Sequence, residues 1–136
     1  NSGIMTGERI LIVDDNRPNT RLLHFILADE GHEVRTAHDA ADALAVLQEF
    51  TPRLILMDLQ MPGMDGLTLT RKLKADPATR DILVIAVTAY AMKGDEDKAL
   101  AAGCDGYISK PIDTQALPRL VSDCIGRSDA RGSGIA

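Results

Sequence analysis

Aromatic side chains are nearly absent: two Tyr, two Phe and no Trp, 3% of the chain. The core must therefore be built from Leu, Ile, Val and Ala. Cysteine is as scarce. Cys104 and Cys124 cannot make a disulfide framework or a four-ligand metal site, and read as free thiols of a cytoplasmic domain. No apolar run approaches the roughly 18 residues of a membrane-spanning candidate, and no signal peptide is visible. Basic charge is also in deficit: 15 Lys and Arg face 20 Asp and Glu, for a net charge of -5 and a pI near 5.1. Sequence-independent binding to nucleic acid needs a basic face, so neither nucleic acid nor a membrane is expected as a direct partner.

What the chain does have is length for one cored domain, 136 residues at 45% hydrophobic, and four apolar runs that each end in a polar residue. Ile10 to Val13 runs into Asp14-Asp15, Leu54 to Met57 into Asp58, Ile82 to Val87 into Thr88, and Tyr107 to Ser109 into Lys110-Pro111. Short apolar runs alternating with helical periodicity predict five strand–helix units and a parallel sheet. Strands are expected near 9–14, 33–37, 53–58, 82–88 and 106–109. The first helix is capped by Asn16, carries Pro18 in its first turn and repeats Leu22, Leu23, Ile26 and Leu27 at helical spacing, stopping at Gly31. Asp39 caps a second with Ala40, Ala43, Leu44, Leu47 and Phe50 on one face. A third spans about 65–75, and a fourth about 93–102, closed by Gly103. The fifth starts after Asp113 and stops at Gly126, with Pro118 kinking its first turn or delaying the regular helix. The first, third and fourth strands are nearly all apolar and belong inside; the second and fifth are less so and suit edges. The order 2-1-3-4-5, a doubly wound, flavodoxin-like (βα)5 α/β fold, meets these demands with right-handed crossovers.

That order sets Asp14, Asp15 and Asp58 in one crevice at the carboxyl ends of the strands. Crowded carboxylates repel, and protonation or a cation relieves them. An all-oxygen site suits Mg²⁺, which takes ligands at ~2.0–2.1 Å and usually only one or two carboxylates. A carboxylate is also a nucleophile towards phosphorus, and phosphoryl transfer asks for cations and donors more than for acid–base groups. Lys110 offers the cation, Thr88 a hydroxyl, and backbone N–H groups after Asp58 and Thr88 further donors. Taken singly, each residue has a plainer reading: helix cap, turn aspartate, strand threonine, surface lysine. All of them at strand ends in the right order make a site the better account.

The motifs ILIVDDN, LILMDLQMPGMDG, VTAYAMKGD and GCDGYISKPI carry a resemblance to the receiver domains of two-component response regulators, over about Glu8 to Ile125. That resemblance implies Asp58 as phospho-acceptor, with a sensor histidine kinase or histidine phosphotransfer protein as donor. It implies Mg²⁺, or Mn²⁺ in its place, on Asp15, Asp58 and the Gln60 backbone carbonyl, with Asp14 acting through a metal-bound water. Lys110 and the Ala89 backbone N–H would contact the phosphoryl group, and the Lys110-Pro111 bond is expected to be cis. Thr88 and Tyr107 would be the switch pair, and Gln60 and Tyr90 would tune the lifetime of the aspartyl phosphate. The chain would then modify only itself and turn over no substrate.

The fourth helix buries mainly Ala99 and Ala102 and should be the loosest of the five, which makes the helix-four, strand-five, helix-five face the expected output surface for a downstream protein. Two other classes compete. A haloacid dehalogenase-like phosphatase also forms an aspartyl phosphate, but wants its nucleophile on the first strand with a second Asp two residues on. A flavodoxin-like binding module would need a phosphate-cradling loop after the first strand, where DDNRPN stands instead. The same chemistry would fit a receiver segment of a hybrid sensor kinase or longer regulator. Residues 1–7 are expected to be a lead-in, with Asn1 to Ile4 an expression remnant, 8–126 the receiver, and 127–136 a flexible tail.

Overall fold

The computed structural model describes residues 7–61, 63–89 and 94–134. Five strands and five helices alternate: β1 (Arg9–Val13), α1 (Arg17–Asp29), β2 (Glu33–Ala37), α2 (Ala40–Leu47), β3 (Leu54–Asp58), α3 (Gly66–Ala75), β4 (Leu83–Thr88), α4 (Asp95–Ala102), β5 (Gly106–Ser109) and α5 (Leu117–Gly134). The strands form one parallel sheet in the order β2-β1-β3-β4-β5.

The period of two along a strand divides the core between two faces. Leu11, Val13, Ile55, Met57, Val84 and Ala86 meet Ala40, Ala43, Leu69, Leu73 and Ala99 of α2, α3 and α4. Ile10, Ile12, Leu54, Leu56, Leu83, Ile85 and Val87 meet Leu23 and Leu27 of α1 and Leu117 and Val121 of α5. Both faces are covered, so β1, β3 and β4 read as unbroken apolar runs. Truncating a fully buried Leu such as Leu56 to Ala here is expected to cost about 2–5 kcal/mol. The edges are wetter: β2 alternates exposed and half-buried residues, and β5 is half-buried.

Helix starts follow their caps. Asn16, Asp39 and Asp65 each accept a hydrogen bond from the backbone N–H three residues on. Gly31 after α1 and Gly103 after α4 adopt φ of 95° and 106°, the left-handed conformation that closes a helix. Pro118 sits in the first turn of α5, after a turn in which the Asp113 carboxylate accepts from the Gln115 and Ala116 N–H groups, so the regular helix is delayed rather than kinked.

Along α1, Leu23 and Leu27 are buried and Ile26 packs beside them, while Leu22 is about half exposed next to the still more exposed Phe25. One expectation needs correction. The fifth helix does not stop at Gly126 but continues to Gly134. Gly126 lacks the positive φ of a helix-ending glycine, and one helical Gly costs only about 1 kcal/mol. An ion pair between Arg53, ahead of β3, and Asp129 ties the added length of helix to the domain.

Candidate functional site

The ends of β1, β3, β4 and β5 lie along one edge of the sheet, with Val13 beside Met57, Asp58 beside Val87, and Thr88 beside Ser109. The next residues along the chain extend from that edge. Ligand oxygens of Asp14, Asp15 and Asp58 lie within 4.8 Å of one another. Asp14 and Asp58 are each 2% exposed, while Asp15 opens to solvent and leaves the cluster a wet side. The Lys110 ammonium stands 3.4 Å from Asp14 Oδ2 and 3.5 Å from Asp58 Oδ2, and its peptide bond to Pro111 is cis.

Neighbouring groups fix both buried carboxylates. Asp14 Oδ1 accepts from the Asn16 N–H at 2.9 Å and Oδ2 from Asn19 Nδ2 at 2.7 Å. Asp58 Oδ1 accepts from the Gln60 N–H at 3.0 Å. Burial pushes the Asp58 carboxyl up to about 6, and the charge of Asp14 adds to the rise, while the Gln60 N–H and Lys110 oppose it. One ammonium does not balance three carboxylates. The donor set is all oxygen, partly buried and open on one side, which fits a small hard divalent cation.

Thr88 is fully buried, and its Oγ1 accepts from Gln60 Nε2 at 2.8 Å. The Ala89 N–H donates to Gln60 Oε1 at 2.9 Å. Tyr107 packs half-buried against the α2–α3–α4 face. Its hydroxyl is buried without a hydrogen-bond partner among the described residues. Tyr90 lies outside the described residues.

Three contacts were not legible beforehand. Asn19 holds Asp14 through a side-chain bond, for which the only signal was an Asn in the first turn of α1. Gln60 spans from the end of β3 to the end of β4, a contact across 28 positions that local pattern cannot show. Gly66 is the third: a Cβ there would lie 2.4 Å from the Asp58 carbonyl oxygen and 3.0 Å from Leu59 Cα, so α3 packs onto the Asp58 backbone only because that residue is Gly. Beside the site, a groove of about 640 Å³ between α1 and the β5–α5 connection is lined by Pro18, Leu22, Ala89, Lys110, Pro111 and Ile112, among others.

The chain also matches a known family. The model of the response regulator receiver domain matches residues 10–122. The chain belongs to that family. The receiver is 49% identical over 109 residues to the response regulator PleD of Caulobacter vibrioides, covering 80% of this chain but 24% of PleD, so it spans about a quarter of that relative. It is 44% identical over 112 residues to the polar-differentiation response regulator DivK of Brucella abortus, covering 82% of this chain and 89% of DivK. Among solved structures, the receiver domain of the sensor histidine kinase PA1611 from Pseudomonas aeruginosa, with a magnesium ion coordinated in its active-site cleft, superposes with a TM-score of 0.79 at 33% identity, covering 89% of this chain and 99% of that one. Receiver domains of response regulators are signalling domains rather than turnover enzymes. The two-aspartate spacing of a haloacid dehalogenase is missing at both strand ends, since Asn16 stands two residues after Asp14 and Gln60 two residues after Asp58. No described helix is long and apolar enough to cross a membrane.

Proposed function

We propose that this receiver takes a phosphoryl group onto Asp58 from the phosphohistidine of a sensor kinase or phosphotransfer protein, and that the modification alters its α4–β5–α5 face for a downstream protein. The observation that carries the reading is the set of three carboxylates within 4.8 Å with the Lys110 ammonium against the two buried ones. Asp15, Asp58 and the Gln60 backbone carbonyl would hold Mg²⁺ or Mn²⁺, with Asp14 contributing through a water. When bound, the ion supplies positive charge for the crowded carboxylates and the incoming phosphoryl oxygens.

The chain's own groups do the rest. An oxygen of Asp58 forms the new P–O bond as the donor's P–N bond breaks, and the departing imidazole keeps the electron pair and takes a proton from solvent. Hydrogen bonds from Asn16 and Asn19 fix the Asp14 carboxylate in place beside Asp58. Lys110, Thr88 and the Ala89 N–H contact the phosphoryl oxygens where charge gathers in the transition state. The half-exposed Leu22, which lines the groove together with Lys110, offers a partner an apolar foothold beside the site.

Output follows from the end of β4. Drawing Thr88 towards the phosphoryl group opens space for Tyr107, whose buried hydroxyl gains by finding a partner. α4 is free to respond: it buries only Ala99 and Ala102 among its residues, Leu100 is 51% exposed, and its start at Gly94 has no side-chain cap. Gln60 and Tyr90 would set how long the aspartyl phosphate lasts, and a cytoplasmic location follows from the donor. The test is metal dependence: with a small-molecule phosphodonor, Asp15→Asn should abolish Mg²⁺-dependent phosphorylation while its circular dichroism stays that of the parent. Normal Mg²⁺-dependent phosphorylation of that variant rejects the assignment.

A further inference from the structure

The Gln60 side chain makes a two-point contact that the phosphorylation chemistry does not require. Its backbone N–H is fixed to Asp58 Oδ1 at 3.0 Å, and its carboxamide reaches across the crevice to the end of β4. There Oε1 accepts from the Ala89 N–H at 2.9 Å, and Nε2 donates to Thr88 Oγ1 at 2.8 Å. The orientation of the amide is dictated by chemistry: a backbone N–H can only donate, so the oxygen must face Ala89 and the nitrogen must face Thr88. These are the same two groups that the proposed function gives to the phosphoryl oxygens.

We propose that Gln60 is a resting-state latch, a positioning residue whose carboxamide oxygen stands in for a phosphoryl oxygen on the Ala89 N–H and whose NH₂ holds the Thr88 hydroxyl, so that phosphorylation of Asp58 must displace it. The proposal rests on the function assigned above and deepens it. One N–H points at one acceptor at full strength, so Gln60 Oε1 and a phosphoryl oxygen compete for Ala89. Thr88 is buried, and a hydroxyl held at a fixed distance by a neighbouring amide is not at liberty to follow a charge arriving on Asp58. The latch also ties the acceptor's own loop to the switch strand, because the residue that bonds the Asp58 carboxylate through its backbone bonds the end of β4 through its side chain. Gln60 itself is solvent-exposed, so it can swing out without opening the core. This role differs from tuning the lifetime of the product, since the latch acts before any phosphoryl group is present.

Two neutral hydrogen bonds at a wet edge contribute on the order of 1–2 kcal/mol together, a factor of about 5–30. Gln60→Met keeps the length of the side chain and removes both bonds, and Gln60→Ala serves as a second variant; each leaves the backbone carbonyl and N–H of residue 60 in place. The first measurement is amide hydrogen exchange of Ala89 in the metal-free, unphosphorylated protein, where exchange in both variants should be about 5- to 30-fold faster than in the parent, with β1 and β3 unchanged. The second is a titration with beryllofluoride and Mg²⁺ followed by amide chemical shifts, where half-saturation should fall to a lower concentration by the same factor. A merely structural Gln60 would loosen both states and weaken binding of the mimic. Unchanged Ala89 exchange in the resting variants, or a half-saturation that stays or rises, overturns the latch. A parent protein that shows no shift with beryllofluoride overturns the function on which the latch rests, whatever the exchange result.

Discussion

Replacing Asp58 by Asn isolates the electrostatic cost of the site. The Asp58 carboxyl has its folded-state pKa raised to about 6 from an ordinary 3.8, chiefly because it is buried and secondarily because Asp14 faces it. A raised folded pKa means that the protonated form is favoured on folding. The group therefore contributes its full stability below about 3.8, loses it as pH rises through about 6, and above that remains a buried charge that folding must accommodate. The gap of roughly 2 pH units corresponds to about 3 kcal/mol at about 1.4 kcal/mol per unit. Solvent on the Asp15 side of the cluster reduces this, so about 1–3 kcal/mol is the working range. Asn has the same shape and no charge. Urea unfolding in EDTA should then show Asp58→Asn more stable than the parent by that amount at pH 7.5, with the advantage shrinking steadily as pH is lowered to 4.5. Mg²⁺ should stabilise the parent and close the gap, because it binds the folded carboxylate cluster. An Asp58→Asn protein less stable than the parent at pH 7.5 in EDTA, or a difference that ignores pH, refutes the reasoning.

Thr88→Ala keeps the carboxylates and Lys110, so phosphorylation should persist while the response of α4 is lost: hydrogen exchange over Asp95–Ala102, which beryllofluoride with Mg²⁺ should change in the parent, should change far less in the variant. A coupling of this kind is typically about 1–3 kcal/mol, and a full response in Thr88→Ala contradicts the switch. Gly66→Ala places a methyl group 2.4 Å from the Asp58 carbonyl oxygen; it should cost about 1–3 kcal/mol in urea unfolding and slow phosphorylation, and an unaffected rate would show that the acceptor's backbone tolerates displacement. His32 accepts the Glu8 N–H on Nδ1, and burial lowers its pKa from the ordinary 6.5 against the pull of Glu8 and Glu30. Its depressed folded pKa makes its contribution present above 6.5 and lost as pH falls through the folded value, so His32→Asn should flatten the acid limb of the stability profile in that window; an unchanged limb removes His32 from the account.

The fold was readable because its burial is symmetrical. β1, β3 and β4 are covered on both faces, so ILIV, LILM and LVIAV are unbroken apolar runs that no amphipathic helix would give. The caps Asn16 and Asp39 placed the first two helix starts to within a residue. Gly126 misled because glycine signals a helix end only when its φ turns positive, which sequence does not state. At the site, placing Asp14, Asp15, Asp58, Thr88 and Lys110 on one edge needed only the strand order, since each follows a strand or ends one. The Gln60 bridge, the Asn19 support of Asp14 and the close approach of Gly66 depend on where loops cross in space. Nothing in their local sequence carries that.

The central claim is that Asp58 accepts a phosphoryl group, and peptide-mapped mass spectrometry after incubation with a small-molecule phosphodonor and Mg²⁺ tests it most directly. The account predicts one added phosphoryl group per chain, mapped to Asp58, labile to alkali as an acyl phosphate, dependent on Mg²⁺ and absent from Asp58→Asn. Label that persists on Asp58→Asn, or that maps to Thr88 or a histidine, would contradict it.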